Sequence, residues 1–474
     1  MVRKADSKIH PGGGGKSLLS VSRVPHRAGA LLAMLALALA CGAIGAAGAT
    51  AAGAKWTVYH ATPSGSGAFR GSISLSAVHQ AWQSPALTGQ LYGEPLVDGK
   101  YVYVATTADV VYALNASDGS VAWSATVGTP VAASSLPCGD ISPTVGIVGT
   151  PVIDAARHEI FVVADEQASG SPSHHLIGLD TSTGTVLLDQ AVDPPGSTPS
   201  AQLQRTGLNL LRGSVVFGMG GNSGDCSTYH GWVVSVPETG GEAHRFEVDK
   251  EASEGAIWMG GAAPVVQGRK AVWVASGNGS NTSGEPQDSD SVLELSPTLE
   301  RLDVFTPSSW AQDNTNDLDL GSTVPALLSH GHVVQVGKSQ TAYVLKRSHL
   351  GGIGGQLSTV TGLCGSTFDG GSAINGSTVY LPCRKGPISA TVSKTGELHV
   401  NWASSVSSAG PPILAGGLVW VIDQSGHLDS LDAASGAINQ QLSIGSVANH
   451  FPTASVGDGL LFAPATNSVV AFGG

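Results

Sequence analysis

The sequence predicts an all-β fold, an eight-bladed β-propeller, with seven blades as the alternative count. Three observations carry this. The first is a hairpin motif, clearest in Val110-Val111-Tyr112-Ala113-Leu114-Asn115-Ala116-Ser117-Asp118-Gly119-Ser120-Val121-Ala122-Trp123 and again in Leu428-Asp429-Ser430-Leu431-Asp432-Ala433-Ala434-Ser435-Gly436-Ala437-Ile438. An apolar run, then Asp or Asn, a polar residue and Gly, then a second apolar run is a strand–turn–strand unit. Gly supplies the positive φ of the turn, and Asp, Asn and Ser bond back to their own backbone. The second is recurrence: the motif returns at a period of roughly 40–65 residues in units made of strands alone, which indicates a propeller and not a helical solenoid. The third is composition. Charged residues make up 12% and aromatics 5%, with 64 Gly in 474 residues, which suits short strands joined by tight turns.

The elements follow in order. Residues 1–27 read as a basic cytoplasmic leader, carrying Arg3, Lys4, Lys8, Lys16, Arg23 and Arg27. Residues 28–54 form one uncharged Ala/Leu/Gly-rich run, predicted as an N-terminal apolar helix. Positive residues before an apolar run hold the N-terminus inside and send the rest across the membrane. The run reads either as a signal peptide or as a retained transmembrane anchor. Ala49-Thr50-Ala51 and Ala52-Gly53-Ala54 fit small-residue cleavage sites, yet the run is long enough to span a bilayer. Cys41 after Leu39-Ala40 resembles a weak lipoprotein site, and a buried Ala-rich helix is the bland alternative. Residues 55–72 read as an exported linker, and 73–474 as the propeller domain.

Within the propeller, units end in turns near Asp118, Thr183, Gly240, Pro297, His349, Thr395 and Ser435. An initial unit near Trp82 lacks the turn motif. Inner strands include Tyr101-Val102-Tyr103-Val104, Ala271-Val272-Trp273-Val274 and Leu418-Val419-Trp420-Val421-Ile422. The chain ends on a strand, Ser468-Val469-Val470-Ala471-Phe472, which is placed to complete a blade begun at the N-terminus and so protect the edges. Cys138, Cys226, Cys364 and Cys383 remain past the apolar run, an even count that in an exported chain predicts disulfides. Pairing Cys364 with Cys383 closes a local hairpin, and pairing Cys138 with Cys226 ties neighbouring blades; the alternatives stay open. No Cys or His spacing suggests zinc, and His174-His175, adjacent in a strand, point to opposite faces. A formal net charge of −12 and a pI near 5.6 argue against nucleic acid as a partner.

The Val-Tyr-Ala-Leu-Asn-Ala-Ser-Asp-Gly-Ser-Val-Ala-Trp unit resembles the repeat of the pyrroloquinoline quinone (PQQ) dehydrogenases and their non-enzymatic relatives, whose repeat ends in a Trp that docks each blade on the next. Trp82, Trp123 and Trp402 match that position; the middle blades lack it. Val274-Ala275-Ser276-Gly277-Asn278-Gly279-Ser280 resembles the family segment whose Asn ligates calcium. Asn316-Asp317-Leu318-Asp319-Leu320-Gly321-Ser322 resembles the Asp-x-Asp segment of the catalytic aspartate. Val334-Gln335-Val336-Gly337-Lys338 resembles the strand whose Lys or Arg contacts the quinone. The resemblance therefore implies calcium at Asn278 with Asp225, a base at Asp317 or Asp319, and PQQ against Lys338 and Trp258. Carboxylate and amide oxygens are what calcium takes, and a second carboxylate could serve as general base while hydride leaves an alcohol. Each of these residues also has a bland reading, since Asp and Asn are common turn residues.

The sequence departs from the family in lacking a Cys-Cys pair and a Cys-x-x-Cys-His haem site, and it keeps one Trp in Ile257-Trp258-Met259-Gly260-Gly261. Two function classes follow. One is a PQQ-like binding or scaffold module of the cell envelope with a protein partner, similar to the propeller lipoprotein of outer-membrane assembly. The other is a PQQ- and calcium-dependent alcohol or sugar dehydrogenase with a small alcohol substrate. Both place the propeller outside the cytoplasmic membrane, with membrane contact through the N-terminal helix only. A C-terminal tag on intact cells is therefore expected to be digested by added protease; complete protection of the tag would rule export out.

Overall fold

The computed structural model describes residues 55–474 except Ser169 and Asn449. The predicted leader and apolar helix at 1–54 lie outside the described residues, among which no helix is long and apolar enough to cross a membrane. Eight antiparallel blades surround one axis. Blade 1 comprises Leu96–Asp98, Tyr101–Ala105, Val110–Asn115 and Val121–Thr126. Blades 2 to 7 follow with innermost strands Val152–Asp154, Asn209–Leu211, Val265–Gln267, Ala326–Leu327, Ala373–Asn375 and Ile413–Ala415. In blade 8, Ser455–Gly457, Leu460–Pro464 and Val469–Gly473 are completed by His79–Gln83, with Trp82 paired to Ala471. The unit that lacks a turn motif is thus the outer strand of the closing blade, and the ring is sealed by its two ends.

Burial explains the strand order. The strand Val110–Asn115 is buried along almost its whole length, whereas the outer strand Val121–Thr126 alternates exposed and half-buried residues. Inner strands see neighbouring blades on both faces, so they read as solid apolar runs; outer strands see solvent on one.

The docking tryptophans act as the repeat implies. The Trp82 indole donates to Ala116 O at 2.8 Å, Trp123 to Thr181 O at 3.0 Å and Trp402 to Ala433 O at 3.1 Å. Each ring lies flat on the turn glycine of the next blade: Gly119, Gly184 and Gly436 respectively. These glycines hold φ of 72°, 71° and 72°, so a side chain there would be strained by its backbone as well as striking the indole. Where the Trp is missing, Leu188 covers Gly240 and Leu357 covers Gly396.

Residues 55–72, expected as a linker, run across the innermost strands of the ring. Trp56 N donates to Val97 O at 2.9 Å, and Ile153 N to Thr57 O at 2.8 Å. Val266 N reaches Pro63 O at 2.7 Å, Ile374 N reaches Ser66 O at 2.8 Å, and Leu414 N reaches Gly67 O at 2.7 Å. One segment thus pairs the free inner edges of blades 1, 2, 4, 6 and 7 and buries Trp56, Tyr59 and His60 among them. Two disulfides form, Cys138–Cys226 and Cys364–Cys383. The first ties the loop between blades 1 and 2 to blade 3. His174 and His175 do face apart, to Asp193 at 2.8 Å and Asp189 at 2.7 Å.

Beside blade 2, Asp109 is fully buried and holds left-handed backbone (φ 55°). Burial, then the charges of Glu166 and Asp165, push its carboxyl up to about 8. A carboxyl that titrates near 4 when unfolded binds more protons in the folded state between those values, so its contribution to stability falls as pH rises through that window. Asp109→Asn keeps the shape without the charge. Its melting temperature is expected to match wild type near pH 4 and to exceed it at pH 8.5, read by circular dichroism. A variant equally destabilised at both pH values would show that the carboxylate is needed as such.

Candidate functional site

The site is built by backbone bonds that stitch consecutive blades together at one end of the ring. Glu254 N donates to Tyr229 O and Gly231 N to Glu254 O, both at 2.7 Å. Gly255 N donates to Asn278 O, and Asp290 N to Gly277 O, both at 2.8 Å. The Asp319 carboxylate then takes the Asn278 amide on Oδ1 at 2.8 Å, and Asp290 Oδ1 takes the Leu320 amide at 2.9 Å. The turn after the strand Ala271–Ala275 and the loop entering blade 5 are thus locked by two buried carboxylates. Gly277 sits against Asp319 and Gly321 against the Gly277 backbone, with no room for a Cβ at either.

Asp225, Trp258, Asn278, Asp317, Asp319 and Lys338, the residues singled out in the sequence, all line one cavity of about 420 Å³. Lys338 lies between two carboxylates, 2.6 Å from Asp319 Oδ2 and 2.8 Å from Asp317 Oδ1. Burial disfavours the ammonium, but Asp319 and Asp317 outweigh it and hold Lys338 well above its ordinary range. Its nitrogen stands 5.7 Å over the Trp258 ring. Asp225 accepts the Tyr229 hydroxyl at 2.8 Å, and burial of that phenol beside Asp225 pushes its titration up. Backbone strain concentrates here: Asp225, Glu254, Met259, Asp290 and Asp317 hold φ between 44° and 75°. Non-glycine residues rarely adopt this region outside functional loops. Asn278, which read equally as a left-handed turn residue, is not among them.

Sequence reasoning missed Glu254, Arg205, Tyr92 and Phe451. Asn278 Nδ2 donates to Glu254 Oε2 at 3.2 Å. Burial and then the charges of Asp225, Asp319 and Asp317 push the Glu254 carboxyl up to about 7. The signal available was Ser253-Glu254-Gly255, an acid–glycine pair in a loop without strand pattern. The Arg205 guanidinium is buried and lies 5.6 Å from the Tyr92 ring and 5.8 Å from Phe451, which in turn stands 5.9 Å from Trp258.

The oxygen donors Asp225, Glu254, Asn278 and Asp319 have the chemistry calcium takes. As the side chains stand they are paired with one another: the Asn278 amide nitrogen faces Glu254, and Asp319 is held by Lys338 and a backbone amide. No three acidic, His or Cys side chains among the described residues are gathered closely enough to hold a metal. Lys338, needed for a quinone oxygen, is already committed to two aspartates. The arrangement suits positive charge, with its donors turned on one another.

The fold and site define the chain as a PQQ-like β-propeller. The family model described as outer membrane protein assembly factor BamB matches residues 70–347, more than half of the sequence, and the chain belongs to that family of PQQ-like propellers. Solved structures with the same fold include quinohemoprotein alcohol dehydrogenase from Comamonas testosteroni. It shows 16% identity and a TM-score of 0.67, covering 88% of this chain and 80% of that one. A europium-containing methanol dehydrogenase shows 13% identity and a TM-score of 0.66, covering 89% and 98%. BamB from Moraxella catarrhalis shows 14% identity and a TM-score of 0.57, covering 84% and 100%. At these identities the likeness is one of fold. Among curated proteins, none matches the sequence.

The buried half of the lysine pair decides its worth. Lys338→Met leaves Asp319, whose side chain is 6% exposed, without its cation. Removing one partner of a buried pair costs about 3–5 kcal/mol. Asp317→Asn, at a side chain 63% exposed, costs about 0–1 kcal/mol. Urea unfolding of both variants checks this; equal losses would mean Asp319 does not depend on Lys338.

Proposed function

We propose that this chain is a binding module of the cell envelope, a PQQ-like propeller that recognises a ligand at its funnel mouth without turning it over. The observation that carries this is the state of Asp319. The residue that the family resemblance marks as base or metal neighbour has one oxygen on the Asn278 amide and the other on Lys338. Both oxygens are thus engaged, one by a backbone amide and the other by the Lys338 ammonium at 2.6 Å, so a substrate hydroxyl would have to displace a partner to reach either. The same bonds make it a good structural node for a preformed cavity.

Export fits this reading. Two disulfides persist in oxidising compartments, and the apolar run at 28–54 provides the route across the membrane. The family description names an assembly factor of the outer membrane, which supports a protein partner. The dehydrogenase neighbours support a small molecule in the same mouth. The two are compatible, since a propeller can present its rim and its funnel to different molecules.

The test is reconstitution of the purified full-length chain with PQQ and calcium. The expected result is no quinone absorbance retained after gel filtration and no dye reduction with ethanol or glucose. Retained quinone with dye reduction, both lost in Asp317→Ala and Asn278→Ala, would overturn the reading in favour of a dehydrogenase.

A further inference from the structure

We propose that a second binding site lies at the opposite end of the ring from the funnel mouth, a basic cleft across blades 4, 5 and 6 that takes an anion with clustered phosphoryl groups. It shares no residue with the mouth cavity.

Strand order places it. In an antiparallel blade, the turns between strands one and two and between strands three and four open at one end; the loops after the second strand and between blades open at the other. Asn278, Asp319 and Lys338 stand on the latter loops. Lys270 and His330 stand in first-to-second-strand turns of blades 4 and 5. Lys346 ends the third strand of blade 5, Ala342–Lys346, and Lys394 follows that of blade 6, Ile388–Val392. With Arg347 and His332 they line an open cleft of about 660 Å³.

The cleft runs against the charge of the chain, which carries 35 Asp and Glu to 23 Lys and Arg. Lys270, Lys346, Arg347 and Lys394 share its lining with one carboxylate, Glu294. Burial and then Asp303 push Glu294 up, and Arg347 pulls against them. The Arg347 guanidinium also donates to Leu328 O at 3.4 Å. Lys270, Lys346 and Lys394 are exposed, and among the described residues none of the three has an ion-pair partner. His332, buried in the wall, is pushed down by burial and then by the charges of His330 and Arg347, so cations repel one another across this space.

Turn chemistry does not account for these cations. In blades 2 and 7 the third strand ends in Asp180 and Asp432, opposite Glu159 and Leu418. Their carboxylates close the turn, accepting Ser182 N at 2.9 Å and Ser435 N at 2.8 Å. Lys346 holds that register position in blade 5, opposite His332. An ammonium has no acceptor for those amides, so Lys346 has no turn-closing role. A phosphoryl group brings close to two negative charges and three strong acceptor oxygens. Lysine meets it as a point charge and arginine through paired N–H donors. A lone carboxylate would leave most of these cations unanswered. Leu357 is the one large apolar residue in the lining, so the cleft favours linked phosphoryl groups over a ring or an acyl chain.

Isothermal calorimetry of the full-length chain with pyrophosphate, orthophosphate and glycerophosphoglycerol reads the class; the last is the water-soluble headgroup of an anionic lipid. Pyrophosphate is expected to bind roughly tenfold tighter than either, the scale of one further charge-assisted contact. Lys346→Asp places in blade 5 the residue that closes the turn in blades 2 and 7. It is expected to keep at least the wild-type melting temperature and to weaken pyrophosphate at least about tenfold. Lys394→Gln is expected to weaken it less, and Lys385→Gln, an exposed lysine outside the lining, to leave it unchanged. Glycerophosphoglycerol binding as tightly as pyrophosphate would assign the cleft to phosphodiester headgroups and overturn the proposal. So would pyrophosphate affinity unchanged in Lys346→Asp, which points to the basic leader at 1–27, or no heat from millimolar pyrophosphate. None of these outcomes bears on PQQ-dependent turnover at the mouth, by which the binding-module reading stands or falls.

Discussion

Ring closure is the constraint on which everything else in this molecule depends. A single four-stranded blade cannot bury both of its faces, and its outer strands here are half exposed. Each blade becomes stable only when the next one covers it, and the last only when it meets the first. Closure is made by His79–Gln83 pairing with Val469–Gly473, so the first and last strands among the described residues share one sheet. Trp82 extends the seal by docking onto Ala116 and Gly119 of blade 1. The closing contact is therefore both a sheet ladder and a blade-to-blade packing contact. The segment from Trp56 to Phe69 adds a second closure on the inside, where short innermost strands present unpaired edges that cannot reach water. A buried unpaired amide or carbonyl is costly, and one extended segment answers several blades at once.

The closed ring also makes the site. Side chains far apart in sequence meet because equivalent loops of successive blades face the same opening. Tyr229, Glu254, Asn278 and Asp319 are bonded in succession through main-chain groups, so the position of each carboxylate is set by the blade before it. The unusual density of left-handed non-glycine residues at these loops is the local cost of bringing acidic side chains to the axis. It is offset by the hydrogen bonds that over-determine them. A loop held only by solvent would relax out of that backbone region, and the carboxylates would spread apart under their own repulsion.

What could be read in the sequence was what is local. The Asp-x-x-Gly turns, the apolar inner strands and the closing terminal strand all follow from patterns a few residues long, and the turn glycines carry the left-handed backbone the hairpins need. Asp319, Lys338 and Asn278 stood out because each follows an apolar strand in a family-like context. The linker reading of 55–72 had a physical reason to miss the pairing that segment makes. It is short, broken by Pro63, Gly65 and Gly67, and has no alternation, and its partners lie in blades up to 350 or so residues away. The substitution of Leu188 and Leu357 for docking Trp was equally invisible, since a Leu in or beside an outer strand has no distinguishing pattern. Arg205, Glu254 and Phe451 acquire meaning only from the topology that gathers their loops.

Under the binding-module proposal, charge balance at the mouth distinguishes this propeller from a catalytic one on the same fold. A base must be free to accept a proton, and a metal site must hold its donors open toward the ion. Here the donors are turned on one another, with amide nitrogen to carboxylate at Asn278 and Glu254 and ammonium to two carboxylates at Lys338. A lysine suits that position because its compact ammonium fits between two aspartates while standing 5.7 Å over the Trp258 ring. The aspartates lock the lysine and the lysine holds Asp319 at 2.6 Å, so neither is available without disturbing the loop that both support. Asp225, on an exposed loop, accepts the Tyr229 hydroxyl instead, and burial followed by the charges of Asp319 and Asp317 pushes its carboxyl up.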